Sequence, residues 1–337
     1  MIGARDGAAS FSDGKASIHT IMAMLLRSLW NCLPFRGATN TAGRTHRAHL
    51  SSGATTLDLK AVASFIAADD AKVVVMAGAG ISVSAGIPDF RTPGTGLYDN
   101  LQEYGLPHPE AIFDLGFYSQ NPRPFQRLCK ELWPGNFAPT PTHAFFKVLD
   151  DKGKLLRCFT QNIDSLESAA GLDKSRIVAA HGNFDGAHVV GSGKDVPVEE
   201  VRKAAFGQPS DWDALCEKHG GLVKPSIVFF GEQLPRRFFQ CAMDDLPKCT
   251  LLLVMGTSLA VHPFAGLVGE SPPGVPRLLI NRERVGEGDL FMNPRGFDWE
   301  SPTDGFYGGD CDAAVGELCG LLGWEEELKR VLEASKV

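Results

Sequence analysis

The stretch "VVVMAGAGISVSAGIPDFR", Val73 to Arg91, decides the fold. It opens as a continuous apolar run, the pattern of a strand buried on both faces, and runs through glycines into a turn. Ahead of it, "LDLKAVASFIAADDAK" spaces its apolar residues as a helix does. A buried strand that enters a helix through glycines opens an α/β nucleotide-binding domain. Three later runs read as companion strands: "LLRCFTQN" (155–162), "LLLVMGTS" (251–258) and "RLLIN" (277–281). Each ends in or runs into small or polar residues, and ligands of open parallel sheets bind beyond the carboxyl ends of the strands. The expected fold is α/β: a Rossmann-like parallel sheet domain with a smaller inserted domain, and a nucleotide site built from four strand ends.

The sheet domain is expected over 57–91, 148–182 and 223–330. Between these portions lie two insertions that form the small domain. Residues 92–147, rich in Pro, Phe and Gly, read as mostly helical. Residues 183–222 have few strong apolar runs and read as loosely held. Residues 1–56 stand apart, with Arg5, Lys15, Arg27, Arg36, Arg44 and Arg47 against only Asp6 and Asp13. That is the composition of an organelle transit peptide or of an unstructured tail, and both stay open. The address is accordingly cytoplasmic or nuclear, with mitochondrial as the alternative.

The composition, 44% apolar and 22% charged, is that of a globular chain, and a net charge of −7 argues against a nucleic-acid partner. No membrane partner is expected, because the longest apolar stretch, Ile21 to Leu33, is short and carries Arg27 and Asn31. Eight cysteines are scattered without a CxxC pair, which reads as reduced thiols of an intracellular protein.

The glycine loop alone leaves the nucleotide's fate open. No GKS or GKT follows it, which argues against a P-loop, and Val83 stands where the third glycine of a redox Rossmann fingerprint belongs. The next residues, "GIPDFR", put an apolar ring and an arginine where a dehydrogenase would continue its helix. Together with "TQNID" (160–164), "HG" (181–182), "KPSIVFFGE" (224–232), "GTSL" (256–259) and "INRE" (280–283), the stretch "GAGISVSAGIPDFR" (78–91) resembles the sirtuins, the NAD-dependent protein-lysine deacylases. The motifs fall in the family's order over residues ~58–330. The wording of "LLRCFTQNID", "LLLVMGTSLAVHPFAGLV" and "GDCD" is most similar to the cytoplasmic tubulin-deacetylase branch of class I.

The resemblance implies that NAD is a co-substrate whose nicotinamide bond is cleaved, giving free lysine, nicotinamide and an O-acyl-ADP-ribose. His181 is then the base that acts on a ribose hydroxyl; imidazole suits the task near neutral pH. Asn162 is placed near the reacting ribose and Asp164 on the nicotinamide carboxamide, with Gln161 and Ile163 beside them. Gly78, Ala79, Gly80, Ile81 and Ser82 are expected to wrap the diphosphate through backbone N–H groups at a helix start. Asp89, Phe90, Arg91 and Tyr98 belong to the part that closes over NAD. Gly256, Thr257, Ser258, Asn281, Arg282 and Glu283 hold the adenosine half, and Cys311 touches adenine through its backbone. The acyl-lysine, on a histone or tubulin-like protein, is expected over Val228, Phe229, Phe230, Gly231 and Glu232. There the peptide would add as a strand between this segment and "LAVHP" (259–263), Val228 would offer its carbonyl to the lysine N–H, and Phe229 would line an apolar tunnel with Phe90.

The resemblance breaks at the structural zinc. Val189 and Lys194 stand where the first cysteine pair belongs, and of the second pair only Cys216 remains, with His219 as its neighbour. His188 could add a third ligand, but a four-coordinate site lacks an obvious fourth beyond Asp185 or Asp195, so no metal ligand is assigned. Two other functions stay open beside deacylation: mono-ADP-ribosyl transfer, and an NAD- or acyl-lysine-binding regulator with weakened catalysis.

Overall fold

A computed structural model describes residues 57–87, 106–289 and 293–335; the N-terminal segment 1–56 lies outside them. The described chain begins at a helix that Asp58 starts. Its side chain accepts the Ala61 N–H at 2.8 Å and caps Leu59–Ala67, which buries Leu59, Val62, Ala63 and Ile66 at helical spacing.

The eight strands among the described residues are β1 (Val73–Ala77), β2 (Leu155–Thr160), β3 (Ile177–Ala179), β4 (Gly182–Val189), β5 (Val223–Ile227), β6 (Leu251–Met255), β7 (Arg277–Asn281) and β8 (Asp304–Gly308). Six of them form one sheet in the order β3-β2-β1-β6-β7-β8, with every neighbouring pair parallel. The expected strands are β1, β2, β6 and β7. Their unbroken apolar runs follow from burial on both faces. Val73, Val75 and Ala77 of β1 join one core, with the helices Leu59–Ala67, Pro141–Asp151 and Cys311–Leu322. Val74 and Met76 point into the other, against Phe238, Phe264 and Leu267. Two edge strands escaped the sequence reading, because β3 has three residues and β8, "DGFYG", has no apolar run.

The chain builds the sheet outward from β1 to β3, then returns to lay β6, β7 and β8 on the other side. The order therefore reverses between β1 and β6, the place where such sheets bind nucleotides. The loops leaving these two strands touch there. Gly80 N–H donates to Gly256 O at 2.8 Å, and Gly256 N–H donates to Ile280 O at 3.0 Å. Gly256 has φ +59°, and a Cβ on Gly80 would lie 2.7 Å from Gly256 Cα. Only glycine permits that approach.

The small domain differs from expectation in three respects. The helix Pro141–Asp151 crosses the expected boundary at 147 and buries Phe145, Phe146 and Leu149 in the sheet core. Strand β5 pairs antiparallel with β4 in a separate two-stranded sheet, so it sits with the insertion and not with the sheet portion 223–330. The second insertion is also packed, not loose. Val189, Val201, Ala204, Ala205, Trp212 and Leu215 share one core with Tyr118, Phe125 and Trp133 of the first insertion. Its pattern was hard to see because the helix Val198–Phe206 turns mostly small residues inward between Glu199, Glu200, Arg202 and Lys203.

Gly80→Ala is expected to lower stability by about 1–3 kcal/mol, since the new methyl meets backbone that cannot yield. Thermal unfolding reads this directly, with Gly86→Ala as the contrast: a Cβ there meets nothing within 4 Å, although its φ of +87° still carries backbone strain.

Candidate active site

Residues 161–164 leave β2 beside the reversal point. Gln161 N–H continues the ladder to Ala77 O at 3.0 Å, and its side-chain Nε2 donates to Thr257 Oγ1 at 2.7 Å, joining the ends of β2 and β6. Behind it Ser82, 1% exposed, collects a polar network. Thr140 N–H donates to His143 Nδ1 at 3.2 Å, so the ring hydrogen sits on Nε2, which faces Ser82 Oγ at 3.5 Å. Asn162 Nδ2 donates to the same oxygen at 3.2 Å and to Gly78 O at 3.2 Å. With both lone pairs engaged, the serine hydroxyl has one remaining role: it donates to Asp164 Oδ2 at 2.7 Å. Leu166 N–H reaches the other Asp164 oxygen at 3.0 Å. Burial pushes the Asp164 carboxyl up, while the bonds from Leu166 and Ser82 pull it down. Burial also holds His143 neutral, lowering it to about 3.

His181 follows β3 on the other side of Gln161. Its Nδ1 lies 3.0 Å from Gln161 O, and a carbonyl only accepts, so Nδ1 carries the hydrogen and Nε2 keeps a lone pair. Burial lowers the ring's pKa and the Gln161 carbonyl partly offsets this. The ring is therefore neutral near pH 7. The glycine of "HG" has a packing reason, since Gly182 has φ +68° and a Cβ there would sit 1.8 Å from Ser226 O. His181 O accepts Val228 N–H at 2.8 Å, which ties the base to the expected acyl-lysine segment.

Around the glycines, the expected cradle of N–H groups is mostly engaged already. Gly78, Gly80, Ile81 and Ser82 donate to Met255, Gly256, Gly78 and Ala79 carbonyls. The loop forms two 3₁₀ turns, Ala79–Ile81 and Val83–Ala85, not the start of a long helix. Glycine serves here by close approach, letting the chain ends leaving β1 and β6 meet backbone to backbone. On the rim, Ser258, Arg282 and Glu283 are exposed, and Asn281 Nδ2 donates to Glu283 O at 2.9 Å. Cys311 turns its buried thiol inward to Ile280 O at 3.6 Å, and burial pushes it up to about 12.

The segment 228–232 differs more from expectation. Phe229, expected to line the tunnel, is 1% exposed and wedged edge-on against Phe113, Tyr118 and Phe125. Phe230 is the exposed ring. Glu232 accepts Phe229 N–H at 2.7 Å and the buried Lys224 ammonium at 2.9 Å, so it shapes the segment from behind. Phe230 N–H goes to Phe113 O at 2.8 Å. All three N–H groups at 228–230 are thus bound within the protein, and an added strand must offer its own N–H groups to carbonyls here.

Comparison with known proteins agrees with these motifs. The Sir2 family profile matches residues 78–263. A sirtuin-2 NAD-dependent protein deacetylase of Danio rerio is 46% identical over 297 residues, covering 84% of this chain and 78% of the relative. The chain belongs to the Sir2 family. Sirtuin-3, an NAD-dependent protein deacetylase of Mus musculus, is 47% identical, covering 79% of this chain and 76% of its own length. An NAD-dependent deacetylase, sir2A, of Dictyostelium discoideum is 50% identical, and the match spans 77% of this chain and 51% of that relative.

Of the Sir2-type residues expected in the cleft, Asp89, Phe90, Arg91 and Tyr98 lie outside the described residues. Two residues that the sequence reading passed over, His143 and Glu167, lie buried beside Ser82 and Asp164. Spacing offered a hint of each: "PTPTH" places His143 three residues after its capping threonine, and Glu167 follows Asp164 by three.

In the zinc module the candidate ligands each have other surroundings or partners. Val189 is buried in the apolar core and Lys194 is exposed. Cys216 Sγ accepts Val223 N–H at 3.5 Å, and burial keeps it a thiol. His219 pairs with Glu200 at 2.8 Å, and His188 faces Ser226 Oγ at 3.4 Å. Among the described residues, three metal-capable donors converge only at His143, Asp164 and Glu167, all buried and outside the module. In the module, Trp212 donates its indole N–H to the Tyr118 hydroxyl at 3.3 Å, which donates to Val223 O at 2.6 Å. Purified protein is expected to hold substoichiometric zinc and to keep its melting temperature under a strong chelator. Trp212→Ala is expected to cost about 3–5 kcal/mol. Elemental analysis and thermal unfolding check both.

Proposed function

We propose that this chain is an NAD-dependent protein deacetylase in which His181 is the base and Asp164 the acceptor for the nicotinamide carboxamide. Support comes from membership in the Sir2 family and from one strand end. Gln161–Asp164 orients His181 on one side and presents Asp164 on the other. The chemistry that NAD supplies is a cleavable nicotinamide–ribose bond and, once it opens, a carrier for the acyl group.

The protein's own residues do the rest. Asp164, receiving hydrogen bonds at both oxygens, presents acceptor lone pairs to the carboxamide N–H and holds the leaving amide in one orientation. Neutral His181 takes the ribose hydroxyl proton at Nε2, because Nδ1–H is fixed on Gln161 O. The Val228 carbonyl accepts the acyl-lysine N–H, and its own N–H anchors it to His181. Substrates are acetylated proteins, with histone or tubulin-like acetyl-lysine as the finer expectation. The site of action belongs to the same proposal, cytoplasmic or nuclear, with mitochondrial as the alternative that the Arg-rich composition of residues 1–56 keeps open.

His181→Ala is expected to lower turnover of an acetyl-peptide by about 10²–10⁴-fold while NAD binding survives. Because His181 titrates below its usual 6.5, the acid-side fall of the wild-type rate begins beneath that value, and His181 itself leaves the rate level across pH 7. Mass spectrometry of the products checks the assignment. O-acetyl-ADP-ribose is expected; ADP-ribosylated protein in its place would favour transfer to protein.

A further inference from the structure

We infer that Glu167 is a positioning residue that holds the one proton shared with Asp164, so that Asp164 alone carries the pocket's negative charge. The inference rests on the proposed role of Asp164 as carboxamide acceptor and deepens it.

Glu167 sits on the short helix Leu166–Ala169 and is 1% exposed. One of its carboxyl oxygens lies within 4.8 Å of an Asp164 oxygen and of a His143 ring nitrogen. The titratable groups facing it are Asp164, on the loop after β2; His143, on the helix Pro141–Asp151; and Cys158, on β2. None of these is a cation. His143 is neutral, its Nδ1 bound by Thr140 N–H and its Nε2–H facing Ser82. Cys158 is fully buried and pushed up, partly by Glu167 itself. Two anionic carboxyls in such a pocket repel at short range with no cation among these groups to offset them, so one retains a proton.

Hydrogen bonding settles which one. Asp164 receives donors at both oxygens, from Ser82 O–H and Leu166 N–H. Glu167 also has hydrogen-bond partners, the Thr160 hydroxyl and its own backbone N–H, but its Oε1 is buried with none. The anion therefore rests on Asp164, whose two oxygens are both satisfied, and the proton stays on Glu167. Burial first, and the Asp164 charge second, push the Glu167 carboxyl up to about 8. A proton on Asp164 would replace an acceptor by a donor facing the carboxamide N–H; Glu167 prevents this by holding it.

The sign of the pH effect follows. The folded chain keeps the Glu167 proton between 4.5 and about 8, where the unfolded chain has released it. The stability this contributes is complete below pH 4.5 and is lost as pH rises to about 8.

Glu167→Gln, made in the full chain, imitates the protonated acid. Across pH 5 to 9, the wild-type melting temperature should fall relative to the Gln variant up to about pH 8, then run parallel to it. Peptide-dependent nicotinamide release should decline above about pH 8 in the wild type, and this alkaline decline should vanish in the Gln variant. Glu167→Ala should be impaired at every pH, and the Gln variant should restore it. Melting curves parallel throughout, with an unchanged alkaline decline, would overturn the inference. If the melting curves diverge as expected but neither protein releases nicotinamide, the shared proton stands and the deacetylase reading falls. Infrared spectroscopy of the wild type needs no variant. A buried protonated-carboxyl C=O band at neutral pH that fades above about pH 8 is expected, and its absence at neutral pH overturns the inference.

Discussion

Everything in the cleft depends on how closely two backbones meet where the strand order reverses. Gly80 and Gly256 touch main chain to main chain, and Gly78 approaches Thr257 as closely, with a hypothetical Cβ only 2.7 Å from the threonine Cβ. This contact brings the ends of β1 and β6 together, and Gln161 adds β2 through Thr257. Side chains that act on a common substrate then start from one rigid seam, the arrangement that limits reorganisation when charge moves.

That rigidity passes to the polar groups through a hydroxyl with no freedom left. Ser82 accepts from His143 and Asn162 and donates to Asp164, so its proton points one way. The direction originates at Thr140, whose N–H fixes the tautomer of a buried imidazole. A serine with an open lone pair could turn and leave Asp164 without its donor. The network thus sets which carboxyl is the anion, and the cost of burying that anion is met by two short hydrogen bonds.

The sheet was legible where burial writes a strong pattern: β1, β2, β6 and β7 are unbroken apolar runs. It was illegible at β3 and β8, where edge position removes the need for such a run. The site was legible in motifs at strand ends, and less so in what those residues do. The N–H groups of Gly78 and Gly80, expected to face a diphosphate, instead pair with the carbonyls of Met255 and Gly256 at the far end of β6, and no local pattern carries a pairing so distant in sequence. Phe229 and Phe230 are adjacent and chemically alike, yet one is core and one exposed. The difference arises from Tyr118 and Phe125, which lie in another insertion. His143 and Glu167 each have a partner three residues away, but what brings them together is the fold, which sets His143 from one helix against Ser82 and Glu167 from another.

The small domain joins the chemistry through that aromatic seam. Trp212 donates to Tyr118, Tyr118 packs edge-on against Phe229, and Phe229 is followed along the chain by the exposed Phe230. On the other side Val228 N–H binds His181 O, so the residue before Phe229 touches the base. Lys224 lies 4.5 Å from the Phe229 ring centroid while paired to Glu232, which in turn accepts Phe229 N–H. Packing of the module therefore fixes the height of residues 228–230 above the cleft. A metal is one way to stiffen such a module; a buried tryptophan tied through a tyrosine to β5 is another. Val189 lies in the same core as that tryptophan, so the second is the one the packing displays.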